Sequence, residues 1–305
     1  DGGKPEKLPI PDNQKELANQ LHNELVEKAA ENDMDLLELF VEKGTLSEEE
    51  LRQGIKLGML NHELFPVFCV SALQDMGSGR LMGFIDNVAP AAADLKPEQS
   101  VEGKAVKPLL TEPTVLFVFK TEFLPNVGQI TFFKVKSGEL KANDKLVNVQ
   151  NGETETLNQL FIMDGKERRP VSKLNAGDIG ASLKLKHTKT NDTLHAEGHP
   201  VTIKPIQYPE ARTRKAVAAV EKHDEEKMME ALKKIHLEDP TVVVSYSHEL
   251  KQQILACQGE LQLSVIKWSL ENEYGVKADF SRPRIAYRET ITRPVTTSYR
   301  HKKQS

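Results

Sequence analysis

Apolar positions in the first sixty residues recur at three- and four-residue steps. Leu17, Leu21, Leu25 and Val26 open the series and Leu36, Leu37, Phe40 and Val41 continue it, so residues 12–62 read as helical. Gly44 stops the run, and Ser47 with Glu50 three residues later has capping-box spacing, which predicts a second helix start. Residues 64–70, Leu-Phe-Pro-Val-Phe-Cys-Val, are mostly apolar, the pattern of a short strand buried on both faces. Another helix is expected over residues 80–88, ending at Pro90.

From about residue 102 the period changes to two. Residues 114–121 and 128–135 are rich in β-branched and aromatic side chains and predict strong strands. Ser137 with Gly138, Asn143 with Asp144, Asn151 with Gly152, and Gly177 with Asp178 read as turns. Short strands at regular spacing, with no helical segment among them, predict a small antiparallel barrel. Beyond residue 206 the elements alternate. A strand over 215–220 precedes a helix with Asp224 at its N-cap, Glu225 and Glu226 in its first turn and Lys233 and Lys234 in its last, charges that suit the helix dipole. Strands follow over 241–246 and 252–256, Gly259 breaks the second of them, and Glu260 opens a helix that Gly275 closes. On that helix Leu261, Val265 and Trp268 beside Leu263, Ile266 and Leu270 predict a broad core-facing stripe. With a last strand over 276–280 the order is β-α-β-β-α-β, a ferredoxin-like unit.

A length of 305 residues allows two to three domains, and 38% hydrophobic with 28% charged residues is ordinary for a globular protein. The net charge of -4 gives no global nucleic-acid footprint, so RNA contact would have to come from local patches. Cys69 and Cys257 lie far apart in apolar runs and read as buried free thiols of a reducing compartment, not a disulfide or metal pair. No run approaches the roughly 18 apolar residues of a membrane span, and the start lacks a signal pattern, so a cytoplasmic protein without membrane contact is expected. Asp1, Gly2, Gly3, Lys4 and Pro5 read as a boundary inside a longer parent.

Catalytic motifs are mostly missing. A phosphate-binding loop needs Gly-Lys followed by Ser or Thr, whereas Gly103–Lys104 is followed by Ala105 and Gly165–Lys166 by Glu167. Nor is there an Asn-Lys-x-Asp stretch to read guanine, so this chain is not expected to catalyse phosphoryl transfer by itself. Gly77, Gly79 and Gly83 have the wrong spacing for a dinucleotide loop, and Gly77 and Gly79 read as turn residues. His195 and His199 have zinc-like spacing, but Gly198 and Pro200 oppose the helix that would aim both rings at one ion, so a solvated turn is the reading. Asp33 with Asp35 and Glu238 with Asp239 read as caps or solvated faces rather than paired acids. The basic run Arg300 to Lys303 reads as solvated surface, with phosphate contact as the alternative.

These segments together resemble elongation factor G. The resemblance is carried by residues 116–120, 128–138, 177–179 and 191–194 for its domain II, and by Leu237 to Pro240, Gly259 to Leu261 and residues 282–291 for domain III and the entry to domain IV. It implies a multidomain α/β and β architecture: a partial, mostly helical GTPase-domain segment with its insert (1–90), a linker (91–101), an antiparallel β-barrel (102–205), a ferredoxin-like α+β domain (206–285) and the start of domain IV (286–305). Ser71, Ala72 and Leu73 then correspond to the family's guanine-contact loop, in which the Ala amide reads the guanine carbonyl oxygen. GTP is thus implied for the parent only, and the implied partner is the ribosome, its RNA and proteins, through domains II and III, with a monomeric parent that moves tRNA and mRNA. The family's Gly-Met-Gly before Glu-Leu-His-Leu is here Cys257, Gln258, Gly259 with Gln262, and its Thr-Gly-Asp-Thr has Asn191 for Gly. A housekeeping factor and a divergent paralogue therefore both stay open. So do a tetracycline-resistance-type ribosomal protection factor and a non-enzymatic ribosome-binding module.

Overall fold

Caps, more than apolar periodicity, set the helices of the N-terminal third. The computed structural model describes residues 8–124 and 127–302. The opening residues 1–7, and Lys303 of the basic run, therefore lie outside the described residues. Helix α1 covers Lys15–Ala30. Helix α2, Met34–Lys43, starts where the Asp33 carboxylate accepts the N–H of Asp35 and Leu36, and ends at Gly44 with φ 71°. Helix α3, Glu48–Leu60, opens with the expected capping box: the Ser47 N–H donates to Glu50 Oε2 at 2.7 Å and the Glu50 N–H to Ser47 Oγ at 3.3 Å. Hydrogen bonds from the Ser47 backbone and side chain hold the Glu50 carboxyl below the usual range.

The α1 stripe is only partly buried. Val26 packs with Ala30 and Leu46, whereas Leu17, Leu21 and Leu25 are exposed. Gly54 brings α3 so close to α1 that a Cβ there would stand 2.5 Å from the Ala29 carbonyl oxygen, and this contact holds the 26/29/30 face. The leucines lie about 90–170° around the axis from it.

Residues 64–70 correct a second expectation. They are not a strand in a sheet, and Phe65, Val67 and Val70 are exposed; only Phe68 finds an aromatic partner, Phe84, at 4.8 Å. A strand is buried on both faces only when neighbours flank it, and none does among the described residues. Cys69 is exposed for the same reason, so Cys257 alone is a buried thiol. Helix α4 spans Ser78–Asn87; Gly77 is its N-cap, while Gly79 lies within the helix rather than in a turn.

The chain divides into two units, one of Asp1–Thr114 with Val135–Leu140 and Asn175–Asp178, the other of Val115–Lys134, Lys141–Leu174 and Ile179–Ser305. Short strands β1 (Glu98–Gln99) and β2 (Ala105–Val106) pair in the first. The barrel strands are β3 (Val115–Leu124), β4 (Gly128–Ser137), β5 (Glu139–Lys141), β6 (Lys145–Asn148), β7 (Thr154–Thr156), β8 (Leu160–Asp164), β9 (Glu167–Val171), β10 (Lys173–Asn175), β11 (Ile179–Leu183) and β12 (Thr193–His195). Eight form one curled antiparallel sheet in the order β7-β6-β12-β3-β4-β11-β8-β9, and β5 with β10 forms a ribbon. Leu116, Ile130, Phe133, Leu157, Leu160 and Leu194 fill its interior. A buried polar pair pins the loop before β12: Asp192 accepts from the Asn148 amide at 2.8 Å and the Lys189 N–H at 2.9 Å, and Glu155 accepts from the His187 N–H at 2.6 Å. His195, expected in a solvated turn, is buried in β12, where its ring pairs with the Ala196 carbonyl at 2.7 Å; strand pairing with β3 overrides the turn signal of Gly198 and Pro200.

The C-terminal sheet comprises β13 (Thr213–Ala219), β14 (Val243–Ser247), β15 (Gln252–Cys257) and β16 (Ala278–Ser281), in the order β14-β15-β13-β16. With α5 (Glu225–Glu238) and α6 (Glu260–Asn272) this is the ferredoxin-like order β-α-β-β-α-β, around a core of Val217, Met228, Leu232, Leu255, Ile266 and Leu270. Two expectations change. Leu261, Val265 and Trp268 are exposed, because α6 buries only the narrower stripe of Leu263, Ile266 and Leu270 against the sheet. Helix α5 runs one turn past Lys233 and Lys234, so its last turn carries His236 and ends on Glu238. Among the described residues no helix is long and apolar enough to cross a membrane.

Candidate functional site

Ser71, Ala72 and Leu73 occupy the tip of a tight reversal between the 64–70 segment and α4. The Ser71 N–H donates to the Met76 carbonyl at 2.9 Å and the Met76 N–H returns to Ser71 at 3.0 Å, closing a six-residue loop. Asp75 takes φ 51°, its N–H reaches the Ala72 carbonyl at 3.3 Å, and its carboxylate accepts the Ser78 hydroxyl. Gly77 has φ 79°, and a Cβ there would meet the Cys69 carbonyl oxygen at 3.0 Å and Val70 Cγ1 at 3.1 Å, so the turn needs glycine on two counts. The outcome is a main-chain loop held from below and open above. Leu73 is 99% exposed and Ala72 is exposed, and the Ala72 N–H has no partner among the described residues.

Chemically, such a loop can present a backbone donor to a carbonyl oxygen. It gathers no base, nucleophile or metal donor set, and among the described residues no group of three or more His, Cys, Asp or Glu is placed to hold a metal ion. The three residues named from sequence thus lie together in this one loop. The acid pair Asp33 and Asp35 is a cap, as read from the sequence.

A second polar cluster escaped the sequence reading. At the end of α5, Glu238 crosses to β3, where its Oε1 accepts the Phe123 N–H at 2.6 Å. The Lys234 ammonium lies 6.0 Å from the Phe123 ring centroid and 5.8 Å from that of Tyr274. These groups line a crevice of about 900 Å³ with Lys120, Glu122, Gly128, Asn272 and Glu273. Burial pushes the Glu238 carboxyl up, the Phe123 bond opposes it, and Glu122 and Glu273 push further in the same direction. Burial, with Glu238 and Glu273 nearby, pushes the Tyr274 phenol up to about 12. The signal available in sequence was a carboxylate closing a helix, where the dipole disfavours negative charge.

Comparison with known proteins bears on the same elements. Residues 113–197 match the family model Elongation factor G domain 2, and residues 208–282 match Elongation Factor G, domain III. The chain belongs to the elongation factor G family. The elongation factors G of Thermotoga petrophila and of Thermotoga sp. strain RQ2 are each 33% identical over 310 residues, covering 100% of this chain. The chain spans 45% of the length of those relatives. The crystal structure of ttk003000868 from Thermus thermophilus superposes with a TM-score of 0.80 at 24% identity, over 93% of this chain and 41% of that one, a likeness of fold. The barrel is thus the part matched to domain II and the ferredoxin-like unit the part matched to domain III.

Proposed function

We propose that the chain is the ribosome-facing and relaying portion of a translational GTPase whose whole protein promotes movement of tRNA and mRNA. What carries this reading is order along the chain: an exposed Ser71–Ala72–Leu73 loop, then the match to domain II over 113–197, then the match to domain III over 208–282. Guanine nucleotide belongs to the whole protein, where the Ala72 N–H reads the base carbonyl and Ser71 and Leu73 shape the loop. The 305 residues alone are not catalytic and do not hold GTP, since they carry no Gly-Lys-Ser/Thr loop. The partner is the ribosome, bound through the barrel and the ferredoxin-like unit by a cytoplasmic monomer.

Co-sedimentation of the 305-residue chain with ribosomes tests the partner, and failure to pellet with them at low salt overturns it. Saturable binding of labelled GTP to the same chain overturns the statement about nucleotide. In the whole protein, GTP hydrolysis with and without ribosomes separates a translocating GTPase, stimulated by ribosomes, from a factor that acts through binding alone. Replacing Ala72 by Pro removes one donor and is expected to weaken GTP binding by roughly three- to tenfold, the worth of one neutral hydrogen bond.

A further inference from the structure

Helix α5 packs against β3, so the barrel and the ferredoxin-like unit meet where β3 faces the ends of α5 and α6. At that junction one carboxylate reaches across: Glu238, half-buried, accepts the Phe123 N–H at 2.6 Å. We propose that Glu238 is a proton-operated catch between the barrel and the ferredoxin-like unit, held closed without cost when protonated and loaded towards opening when ionised.

Four observations carry the proposal. Glu238 ends α5, where the helix carbonyls point and a negative charge is disfavoured. It lies in a partly closed crevice of about 900 Å³, so its charge is only partly hydrated. The charged groups facing it are unevenly balanced. From β3 come Lys120 and Glu122, already paired to each other at 3.0 Å; from α5 comes Lys234, whose ammonium lies over two rings; from beyond α6 comes Glu273. Tyr274, also facing the site, stays neutral through the physiological range because its phenol is pushed up to about 12. The strongest bond Glu238 makes is to a neutral amide rather than to a cation. The direction in which its carboxyl shifts agrees with this geometry.

The sign follows from linkage. A carboxyl raised in the closed junction binds its proton more tightly closed than open, so closure is fully favoured below the ordinary glutamate range and weakens as pH climbs through the raised value. Once pH has risen through that value the catch is ionised, and opening is the direction that relieves it. Any group that approaches Glu238 with positive charge would instead tighten it.

The test is amide hydrogen exchange of the 305-residue chain, resolved at Phe123 and corrected for intrinsic rates, across pH 5 to 8. In the unsubstituted chain, protection of Phe123 is expected to fall with pH, by about tenfold for each unit by which the closed junction raises the carboxyl. Glu238→Gln keeps an acceptor without the charge and should give a flat, high protection. Glu238→Ala should give low protection at every pH. Amides of Leu116 in β3 and Leu255 in β15 report whether each sheet is intact, so misfolding is recognised separately. The proposal fails if the unsubstituted chain is flat over this range, if Glu238→Gln keeps the pH slope, or if Glu238→Ala protects Phe123 as well as the original. None of these results depends on ribosome or nucleotide binding.

Discussion

Gly138→Ala and Gly152→Ala separate two costs that are usually confounded. Both glycines end a turn, with nearly the same left-handed backbone, φ 77° and 74°. Their surroundings differ sharply. A Cβ on Gly152 meets nothing within 4 Å, whereas one on Gly138 would stand 2.7 Å from the Glu112 carbonyl oxygen and 2.7 Å from both Cα and N of Thr114. Those are backbone atoms, which cannot rotate aside as a flexible side chain would.

The left-handed backbone costs an L-residue about 1–2 kcal/mol, offset by about 0.4–1 kcal/mol from the reduced freedom of the unfolded chain. Gly152→Ala should therefore lose about 0.5–1 kcal/mol. Gly138→Ala adds an overpacking cost of about 1–3 kcal/mol. It also strains three bonds that hold the 112–114 segment and its neighbour: the Gly138 N–H to Leu109 at 3.0 Å, the Ser137 hydroxyl to Pro113 at 2.6 Å and the Thr114 hydroxyl to Glu139 at 2.9 Å. A total of about 3 kcal/mol follows, about 2 kcal/mol beyond Gly152→Ala. With a urea slope of about 2 kcal/mol/M, the Gly138→Ala midpoint should lie about 1 M below that of Gly152→Ala. Urea titration followed at the Ile130 and Leu146 amides reads the barrel alone, which matters because the lone tryptophan, Trp268, sits in the other sheet's helix. Midpoints within about 0.3 M of each other would refute the packing argument, since the two backbones are matched.

Three further outcomes are expected. Leu232→Ala, at a position 0% exposed in the ferredoxin-like core, should cost about 2–5 kcal/mol in denaturation followed by Trp268 fluorescence. Trp268 is half-exposed, so acrylamide should quench it readily in the folded chain, and Trp268→Gln should change stability by about 0.5 kcal/mol or less. The Tyr274 phenol is raised in the folded state, so its contribution is complete below the ordinary tyrosine value and is lost as pH rises towards about 12; tyrosinate absorbance against pH, compared with Tyr274→Phe, checks this.

Local rules with a geometric basis were legible in the sequence. The capping box at Ser47 and Glu50, the Asp33 cap and the left-handed turns at Gly138, Asn143, Gly152 and Gly177 all formed where the residue types demanded them. The alternation of strands and helices after residue 206 likewise specified a ferredoxin-like order. Apolar patterning was less reliable, because it says that a face is apolar and not what covers it. Leu17, Leu21 and Leu25, most of residues 64–70, and Leu261 with Val265 and Trp268 read as core, yet they are exposed. Ser71, Ala72 and Leu73 were named through the family resemblance, while the bracing of their loop by Asp75 and Gly77 shows only in three dimensions. Glu238 was read with Asp239 as a cap or solvated face, which the structure corrects: helix α5 ends one turn later than its lysines suggest, and that extra turn carries the half-buried carboxylate to Phe123.

That extra turn changes what the ferredoxin-like unit can do. Had α5 stopped after Lys233 and Lys234, its C-terminus would be neutralised by cations and the join to β3 would rest on ring contacts alone. Placing Glu238 at the join makes its strength depend on proton occupancy and on the local field, because burial and the neighbouring carboxylates outweigh what the 2.6 Å bond to the Phe123 N–H gives the charged form. A relay needs a join whose closed and open states differ by only a few kcal/mol, so that a modest differential contact elsewhere can shift the balance. A half-buried carboxylate flanked by Glu122 and Glu273 biases the join towards opening when it is ionised, while Leu116 on one side and Leu232 on the other lie fully buried in their own cores.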